Sequence, residues 1–406
     1  MEIRSIRDYA EAFSGYAFSS TDLVDVGFPV LKIGNIQNHH ILKEIESFYN
    51  KEITEKIKKY QLQKGDFLIA MTGAGSVGKA GKMIDFEEGY LVNQRVAIIR
   101  PDLSKTDPDY LFYYFSMGYV EKYLYNLGIG AGQPNISAND ILKTKVSFPT
   151  LVKQKKIGYI LSIYDNYIEN NNKRIKILEK IAEELYKEWF LRFRYPKYKT
   201  RKIEKGIPVG WKIKRIKDYG KIETGKTPST EITENYGGNI MFIKTPDMHN
   251  NIFVIESEEY LTELGHNSQA KKLLPEISIM VSCIGTAGVV SINYKPAHTN
   301  QQINSIILND DKYLEWMYFT CKSLKDTIES FGSTGSTMTN LSKGKFEKLK
   351  VVHPDEELIE SFHQFAKPIF EQIKLLMLQN INLKRQFDLL LSRLMSGKLE
   401  INNNPE

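Results

Sequence analysis

Ile3-Arg-Ser-Ile-Arg-Asp-Tyr9 returns 210 residues later as Ile213-Lys-Arg-Ile-Lys-Asp-Tyr219. Six residues after each tyrosine stands a glycine, Gly15 and Gly225. Gly75-Ser-Val-Gly78 is matched by Gly285-Thr-Ala-Gly288 at the same shift, and Asn93-Gln94 by Asn300-Gln301 at 207. Asn135-Ile-Ser137 is matched by Asn340-Leu-Ser342, and Pro149 by Pro354, both at 205. Matches in one order, with a shift that drifts by only a few residues, mark a tandem duplication, and a duplication of this length sets the fold. The 406 residues, too many for one ordinary domain, therefore divide into two copies of one plan.

Composition narrows the class. With 42% hydrophobic and 26% charged residues the chain is globular. The formal net charge of +6 is mild for a protein that would bind nucleic acid by charge alone. Cys283 and Cys321 are the only cysteines, too few for a disulfide framework or a four-thiolate zinc site. No apolar run nears the ~20 residues of a transmembrane helix, and Met1-Glu-Ile-Arg-Ser-Ile-Arg7 has no signal-peptide core. The expectation is a soluble, cytoplasmic, multidomain protein.

Each copy opens with short apolar runs set among Gly, Asn and Pro. Pro29–Ile33, Asp66–Ala70 and Arg95–Ile99 in the first copy, and Ile240–Ile243 and Ile277–Val281 in the second, read as strands bounded by turns. Asp109–Tyr123 and Glu315–Ser330 are aromatic-rich helical stretches. Each copy closes with a long helix. After Pro149, Leu161, Ile168, Asn171, Ile175, Leu178, Leu185 and Trp189 fall on a 4,3 alternation, the seam of a coiled coil. After Pro354, Phe362, Phe365, Ile369, Leu376, Asn380, Leu383, Phe387 and Leu390 continue it, with a stutter-like step from Ile369 to Ile373. The alternative is two unrelated surface helices, each packed on its own globule. Asn171 and Asn380 stand in mid-seam, where a buried polar residue fixes register unless the seam is splayed and solvated.

The fold expected is α+β: two similar globular domains separated by two long antiparallel coiled-coil helices in a pseudo-two-fold tandem repeat. The first globule covers residues 1–150, the first long helix 151–195 and a linker 196–210. The second globule covers 211–354, the second long helix 355–400 and a tail 401–406. Residues 157–189 span on the order of 50 Å as a helix.

The chain resembles the DNA specificity subunit of type I restriction-modification enzymes. Ile207-Pro-Val-Gly-Trp211-Lys-Ile-Lys-Arg-Ile216 looks like that family's entry into its second target-recognition domain. Leu178-Glu-Lys-Ile-Ala-Glu-Glu-Leu-Tyr-Lys-Glu-Trp-Phe190, with Phe193 and Pro196, is similar to the end of its first long helix. Gly132-Gln-Pro-Asn-Ile-Ser137 and Gly332-Ser-Thr-Gly-Ser336 look like its glycine-rich segment before each helix, and Leu391-Ser-Arg-Leu-Met-Ser-Gly-Lys-Leu399 like its C-terminal signature. The match covers nearly the whole chain. It departs where the family's Glu-Gln at the start of the first helix is Lys153-Gln154, and where the second helix lacks such a pair. The resemblance implies a subunit without catalysis, each globule reading one half of a bipartite, asymmetric double-stranded DNA target. It implies that the helix pair sets the spacing and docks two modification subunits that methylate adenine. It leaves room for ATP-using restriction subunits, and it assigns S-adenosylmethionine, Mg and ATP to the partners, with no cofactor or metal on this chain.

Base readout calls for amide, hydroxyl or guanidinium groups on base edges and basic or backbone N–H groups on phosphates. In the first globule Lys32, Asn35, Gln37, Asn38, His39 and His40 follow a strand in a polar loop, Thr72, Ser76 and Lys79 lie in a Gly-rich loop, and Gln94 and Arg95 begin a strand after Asn93. The matching places in the second hold Lys244, Thr245, Asp247, His249 and Asn250, then Ser282 and Thr286, then Gln301 and Gln302 after Asn300. Taken singly, each reads first as an ordinary solvated turn residue. The identity of Asn93-Gln94 and Asn300-Gln301 favours a phosphate contact or a structural cap over sequence discrimination. The Gly-rich segments Gly128–Ser137 and Gly332–Ser342 are either phosphate cradles or turns into the helices.

Competing functions find little. Gly73-Ala-Gly-Ser-Val-Gly78-Lys79 matches seven positions of a P-loop, but Ala80 stands where Ser or Thr would hold Mg, and Gly81–Gly89 reads as a hairpin. The His and Cys residues show no metal-ligand spacing, and nucleophile-elbow and methyltransferase motifs are lacking. The other reading that stands is a coiled-coil protein–protein scaffold without sequence readout. Charge adds one detail. Residues 151–205 hold 15 Lys+Arg against 7 Asp+Glu, whereas 1–150 hold 17 against 18 and 206–406 hold 23 against 24. The basic excess sits on the first long helix and its link, which suits non-specific phosphate attraction or partner docking there.

Overall fold

The structure, a computed structural model, describes residues 2–130, 132–196, 202–204, 206–332 and 340–399. Part of the basic run 197–205, the glycine-rich stretch 333–336 and the tail 401–406 lie outside the described residues. The chain divides into two compact units, Met1–Asn171 with Asn380–Glu406, and Asn172–Gln379. Each unit holds one globule with part of each long helix.

The globule of the first unit is built on a five-stranded sheet in the order Ala10–Ser14, Val96–Pro101, Phe67–Ala70, Ala80–Lys82, His39–His40. Its pairs are antiparallel except the last, which is parallel. The second unit repeats it: Gly220–Thr224, Ile303–Leu308, Ile279–Ser282, Val290–Asn293, Phe253–Val254, again antiparallel except for the last pair. The signature segments that reveal the duplication open both globules in one way. Ile6 N donates to Thr144 O (3.0 Å) and Ile216 N to Leu349 O (3.1 Å), each followed by a tight turn ending in Tyr9 or Tyr219.

These strands read as continuous apolar runs because both faces of the sheet are buried. Phe67, Ile69, Ala97 and Ile99 face one hydrophobic cluster, while Leu68, Ala70, Val96 and Ile98 face another. In the second unit Ile279, Val281 and Ile306 belong to one cluster and Met280 and Ile303 to the other. The hairpin expected over Gly81–Gly89 is misplaced by one strand. Ala80–Lys82 pairs back onto Phe67–Ala70, and Leu91–Val92 joins a separate small sheet beside Phe28–Leu31. The Gly-rich loop is itself the hairpin connection, with Gly73, Gly75 and Gly78 all at positive φ. The aromatic stretches also differ from expectation. Each is two helices, Pro108–Phe115 with Gly118–Leu127, and Leu314–Ser323 with Lys325–Gly332. Apolar residues continue across the break, so the pattern conceals it.

The long helices run over Leu151–Tyr186, continued by a π turn at Lys187–Leu191, and over Glu356–Met395. In the first unit their segments lie antiparallel: Tyr164 meets the Phe387 ring at 6.5 Å, and Asn171 Nδ2 donates to Asn380 Oδ1 at 2.9 Å. Leu161, Leu390 and Phe387 close this end of the seam on the globule's core. In the second unit Ile175, Leu178, Leu185 and Trp189 share one cluster with Phe362, Ile369 and Ile373. Leu376 is buried, and Ile168 and Leu383 are half-buried. The heptad reading is weakest at Phe365, which meets the Trp189 ring edge-on at 5.8 Å but is 60% exposed, while Ala366 and Phe370 are buried. The helix buries a face of period near 3.6 here because it packs on the globule as well as on the other helix. Gln154 proves to be a working contact: its Oε1 accepts from Thr106 Oγ1 (2.7 Å) and Asp107 N (3.1 Å), and its Nε2 donates to Pro149 O (2.9 Å). The helix start is thereby pinned to the globule despite Lys153.

The seat of globule on helix differs between the copies. In the first unit Tyr113 Oη donates to the buried Asp165 Oδ2 at 2.6 Å. Burial pushes that carboxyl up to about 6, against the lowering effect of the tyrosine hydrogen bond. The positions 205 residues on are Tyr318 and Phe370, whose rings meet at 5.5 Å. One copy thus buries an ionisable pair where the other sets two aromatic rings edge to face.

Candidate nucleic-acid interface

In the first unit Val96 lies opposite Ala70 across antiparallel strands, so the end of one strand and the start of the other are neighbours. Phe28–Leu31 runs parallel to Leu91–Val92, which brings Lys32 and Asn93 to that same edge. Backbone bonds tie the loops there: Met71 N to Arg95 O (3.1 Å), Asn93 N to Leu31 O (2.9 Å) and Ile136 N to Met71 O (2.9 Å). The three loops singled out by polar chemistry therefore converge. They are joined by Asn135, bridged to Thr72. Ser137 N-caps the helix Ala138–Lys143, accepting from Asp140 N at 3.2 Å.

The second unit builds the same edge. Cys283 N donates to Gln302 O (2.7 Å), Asn300 N to Ile243 O (3.3 Å) and Leu341 N to Cys283 O (2.9 Å), while Asn340 bridges Ile284. Asn135 and Asn340 lie in the Gly-rich segments read as phosphate cradles or turns, but are not among the single residues that polar chemistry picks out; their repetition in both copies is the available signal.

Side chains at this edge divide into those that shape loops and those that project. Asn93 Oδ1 accepts from Arg95 N (3.3 Å) and Asn300 Oδ1 from Gln302 N (3.2 Å), so the repeated asparagine is a turn cap in both copies. Lys32 N donates to Asn35 Oδ1 (2.9 Å) and Lys244 N to Asp247 Oδ2 (2.8 Å), the same turn closed by different acceptors. Asn35 also donates to Glu44 O (3.1 Å), and Lys32 reaches Ser47 Oγ (2.5 Å), whereas Lys244 pairs with Glu259. Ser282 is buried, donating to Thr286 O and accepting from Val289 N. His39 turns inward at φ 73°, its ring edge-on to Phe387 at 5.4 Å, and burial lowers its pKa. Asn35, Ser282 and His39 therefore spend their side chains on contacts within the protein.

Others point out. Asn38, Gln94 and Arg95 are exposed in the first unit, with Thr72, Ser76 and Lys79 half-buried beside them. Gln37 Nε2 returns to Gly34 O at 3.2 Å, and His40 Nδ1 lies 3.1 Å from Asn38 O. In the second unit His249, Asn250, Thr286 and Gln301 are exposed, with Asn250 at φ 59° on a turn. Gln301 Oε1 accepts from Thr227 Oγ1 (2.5 Å). Gln302 Oε1 accepts from Asn300 Nδ2 (3.1 Å) and from the buried Thr245 Oγ1 (3.4 Å). After Lys79 the chain enters the strand Ala80–Lys82 rather than a helix, so the P-loop-like run does not present a helix N-terminus to phosphate. No helix among the described residues is long and apolar enough to cross a membrane.

Two copies of one α+β domain, each with a polar loop edge on an identical backbone frame and each followed by a long helix, define a duplicated recognition protein. The model of the type I restriction modification DNA specificity domain matches residues 1–180 and 208–376, and the chain belongs to that family. The chain is 29% identical to the HindI specificity subunit of Haemophilus influenzae over 433 aligned positions, covering 91% of this chain and 94% of that one. It is 30% identical to the MjaIX specificity subunit of Methanocaldococcus jannaschii over 305 positions, covering 72% and 69%. The S subunit from M. genitalium shares its fold with a TM-score of 0.62 at 14% identity, over 99% of this chain and 96% of that one. DNA recognition within a type I restriction-modification system is the activity this family membership establishes.

Proposed function

We propose that each globule reads one half of a bipartite, asymmetric double-stranded DNA target, and that the helix pair sets the distance between the halves. The carrying observation is the loop edge built twice on one hydrogen-bonded frame with different projecting side chains, Arg95 against Gln302 and Lys79 against Val289. Two readers of unlike sequence call for that combination: a common scaffold and unlike tips. The first long helix, Leu151–Tyr186, is on the order of 50 Å long at 1.5 Å per residue, about one and a half turns of duplex. Two short, different half-sites separated by about 5–8 unread base pairs follow.

In this reading the chain performs no chemistry. The helices dock two modification subunits, which bring S-adenosylmethionine and methylate adenine, and restriction subunits bring Mg and ATP. Long-read methylation mapping of cells expressing the complete complex tests the readout, and a single contiguous motif would refute it. Docking is tested by Leu178→Asp with Leu185→Asp, which should abolish co-purification with modification subunits. The two substitutions open the helix seam, and retained assembly would rule out the intact helix pair as the dock.

A further inference from the structure

Position 95 in the first globule and position 302 in the second are structural equivalents. At each, the backbone N–H is held by the asparagine two residues before, and the carbonyl accepts from the residue that opens the glycine loop, Met71 or Cys283. The following residue, Val96 or Ile303, donates back to the asparagine carbonyl at 3.0 and 3.2 Å. Both main-chain polar groups are thus fixed and identical in the two copies. The residues just before them, Asn-Gln, are also identical. Past the shared Asn-Gln, the first exposed or half-exposed side chain at which the copies part is that of 95 and 302.

What stands there is chemically unlike. Arg95 is exposed, and among the described residues its guanidinium meets no carboxylate. Arg100, five residues along the same strand, shows the contrast: it is locked on Asp66 at 2.7 Å. An unpaired guanidinium on a fixed backbone matches the O6 and N7 acceptors of guanine in the major groove, which is the commonest specific arginine contact. Gln302 is held the other way. Its Oε1 accepts from Asn300 and Thr245, which leaves the Nε2 hydrogens to project. An amide presented donor-first cannot make the paired donor and acceptor contact by which glutamine singles out adenine.

Resting on the half-site reading above, we propose that position 95/302 is an equivalent base-reading position in both domains, and that Arg95 reads a guanine in the half-site of the first globule. Gln302, restrained as a donor, discriminates less at the corresponding place in the other half-site.

The test maps methylation motifs, and measures binding across a panel of single-base variants of the site, with the complete complex carrying Arg95→Gln or Gln302→Arg. Arg95→Gln should relax one guanine in one half-site, reducing discrimination there by about 5- to 150-fold, while the other half-site is unchanged. Gln302→Arg should impose a guanine requirement in the opposite half. If Arg95→Gln lowers affinity uniformly across the panel with the motif intact, and flattens the salt dependence by about one charge, Arg95 is a phosphate contact and the proposal is overturned, with the half-site reading untouched. An unchanged guanine requirement at undiminished affinity also overturns it. A wild-type map without two half-sites would instead bring down the underlying reading. Arg95→Lys, which keeps the charge but loses the planar fork, should weaken the guanine preference less than Arg95→Gln does while retaining the salt dependence, and so separates readout from folding.

Discussion

Asp165 offers the sharpest quantitative prediction. Its carboxyl is 9% exposed, accepts from Tyr113 Oη at 2.6 Å and is raised from 3.8 to about 6 by burial. About two pKa units at 1.36 kcal/mol each make up to about 3 kcal/mol. The sign follows from proton counting. Between pH 4 and 6 the folded state holds a proton that the unfolded state has released, so stability falls as pH rises through this window and stays low above it. Asp165→Asn removes the ionisation while keeping an oxygen for the tyrosine. The variant should match wild type near pH 4 and exceed it by about 1–3 kcal/mol at pH 7.5. Urea unfolding from pH 4 to 8, followed by far-UV circular dichroism, measures the difference. Trp189, Trp211 and Trp316 all lie in the second unit, so tryptophan fluorescence gives that unit's transition separately. A difference independent of pH, or a variant less stable than wild type at pH 7.5, would show that the carboxyl is not held against its ionisation.

Three further outcomes follow from particular contacts. Gly78 sits at φ 87°, and a Cβ there would lie 2.8 Å from Glu121 O, so Gly78→Ala should destabilise the first unit by about 2 kcal/mol or more in the same denaturation assay. Asn171→Leu removes the donor to Asn380 and should cost about 1–3 kcal/mol. Adding Asn380→Leu should recover most of that loss, and a double variant as weak as the single would show that the pair is not coupled. Asn300→Ala deletes the acceptor for Gln302 N and the donor to its Oε1. It should cost about 1 kcal/mol, and, on the half-site reading, freeing Gln302 Oε1 should raise the preference for adenine at its position in methylation maps.

The duplication and the mixed class were legible because they rest on identity at a fixed shift and on apolar runs, both local in the chain. The seam residues from Leu161 to Trp189 were legible for the same reason. Phe365 misled because the heptad assumes one partner surface, and this stretch has two. Asn35, His39 and Ser282 could not be sorted from projecting residues by composition. Their inward turn depends on His39 meeting Phe387, some 350 residues away in sequence, and on Ser282 closing a loop onto Thr286 and Val289. Residue type names what a side chain can bond, and only the tertiary fold says which bonds are already made.

That distinction bears on how such a protein changes its target. The frame of the loop edge consists of main-chain bonds among residues 71, 93, 95, 96 and 136, and among 283, 300, 302, 303 and 341, with one asparagine side-chain cap in each copy. These bonds do not involve the side chains at 94, 95, 76 or 79. Exposed substitutions that leave buried and hydrogen-bonded groups alone usually fall within about 0.5 kcal/mol. A tip can therefore be exchanged with little cost to folding, while the Asn93 and Asn300 caps and the glycine turns resist exchange. The two copies in this chain already illustrate it: they agree at Asn93/Asn300 and Gly78/Gly288 and differ at Arg95/Gln302, Ser76/Thr286 and Lys79/Val289. Where the main-chain frame is kept and the tips differ, the two copies present unlike chemistry from the same place, as Arg95 and Gln302 do.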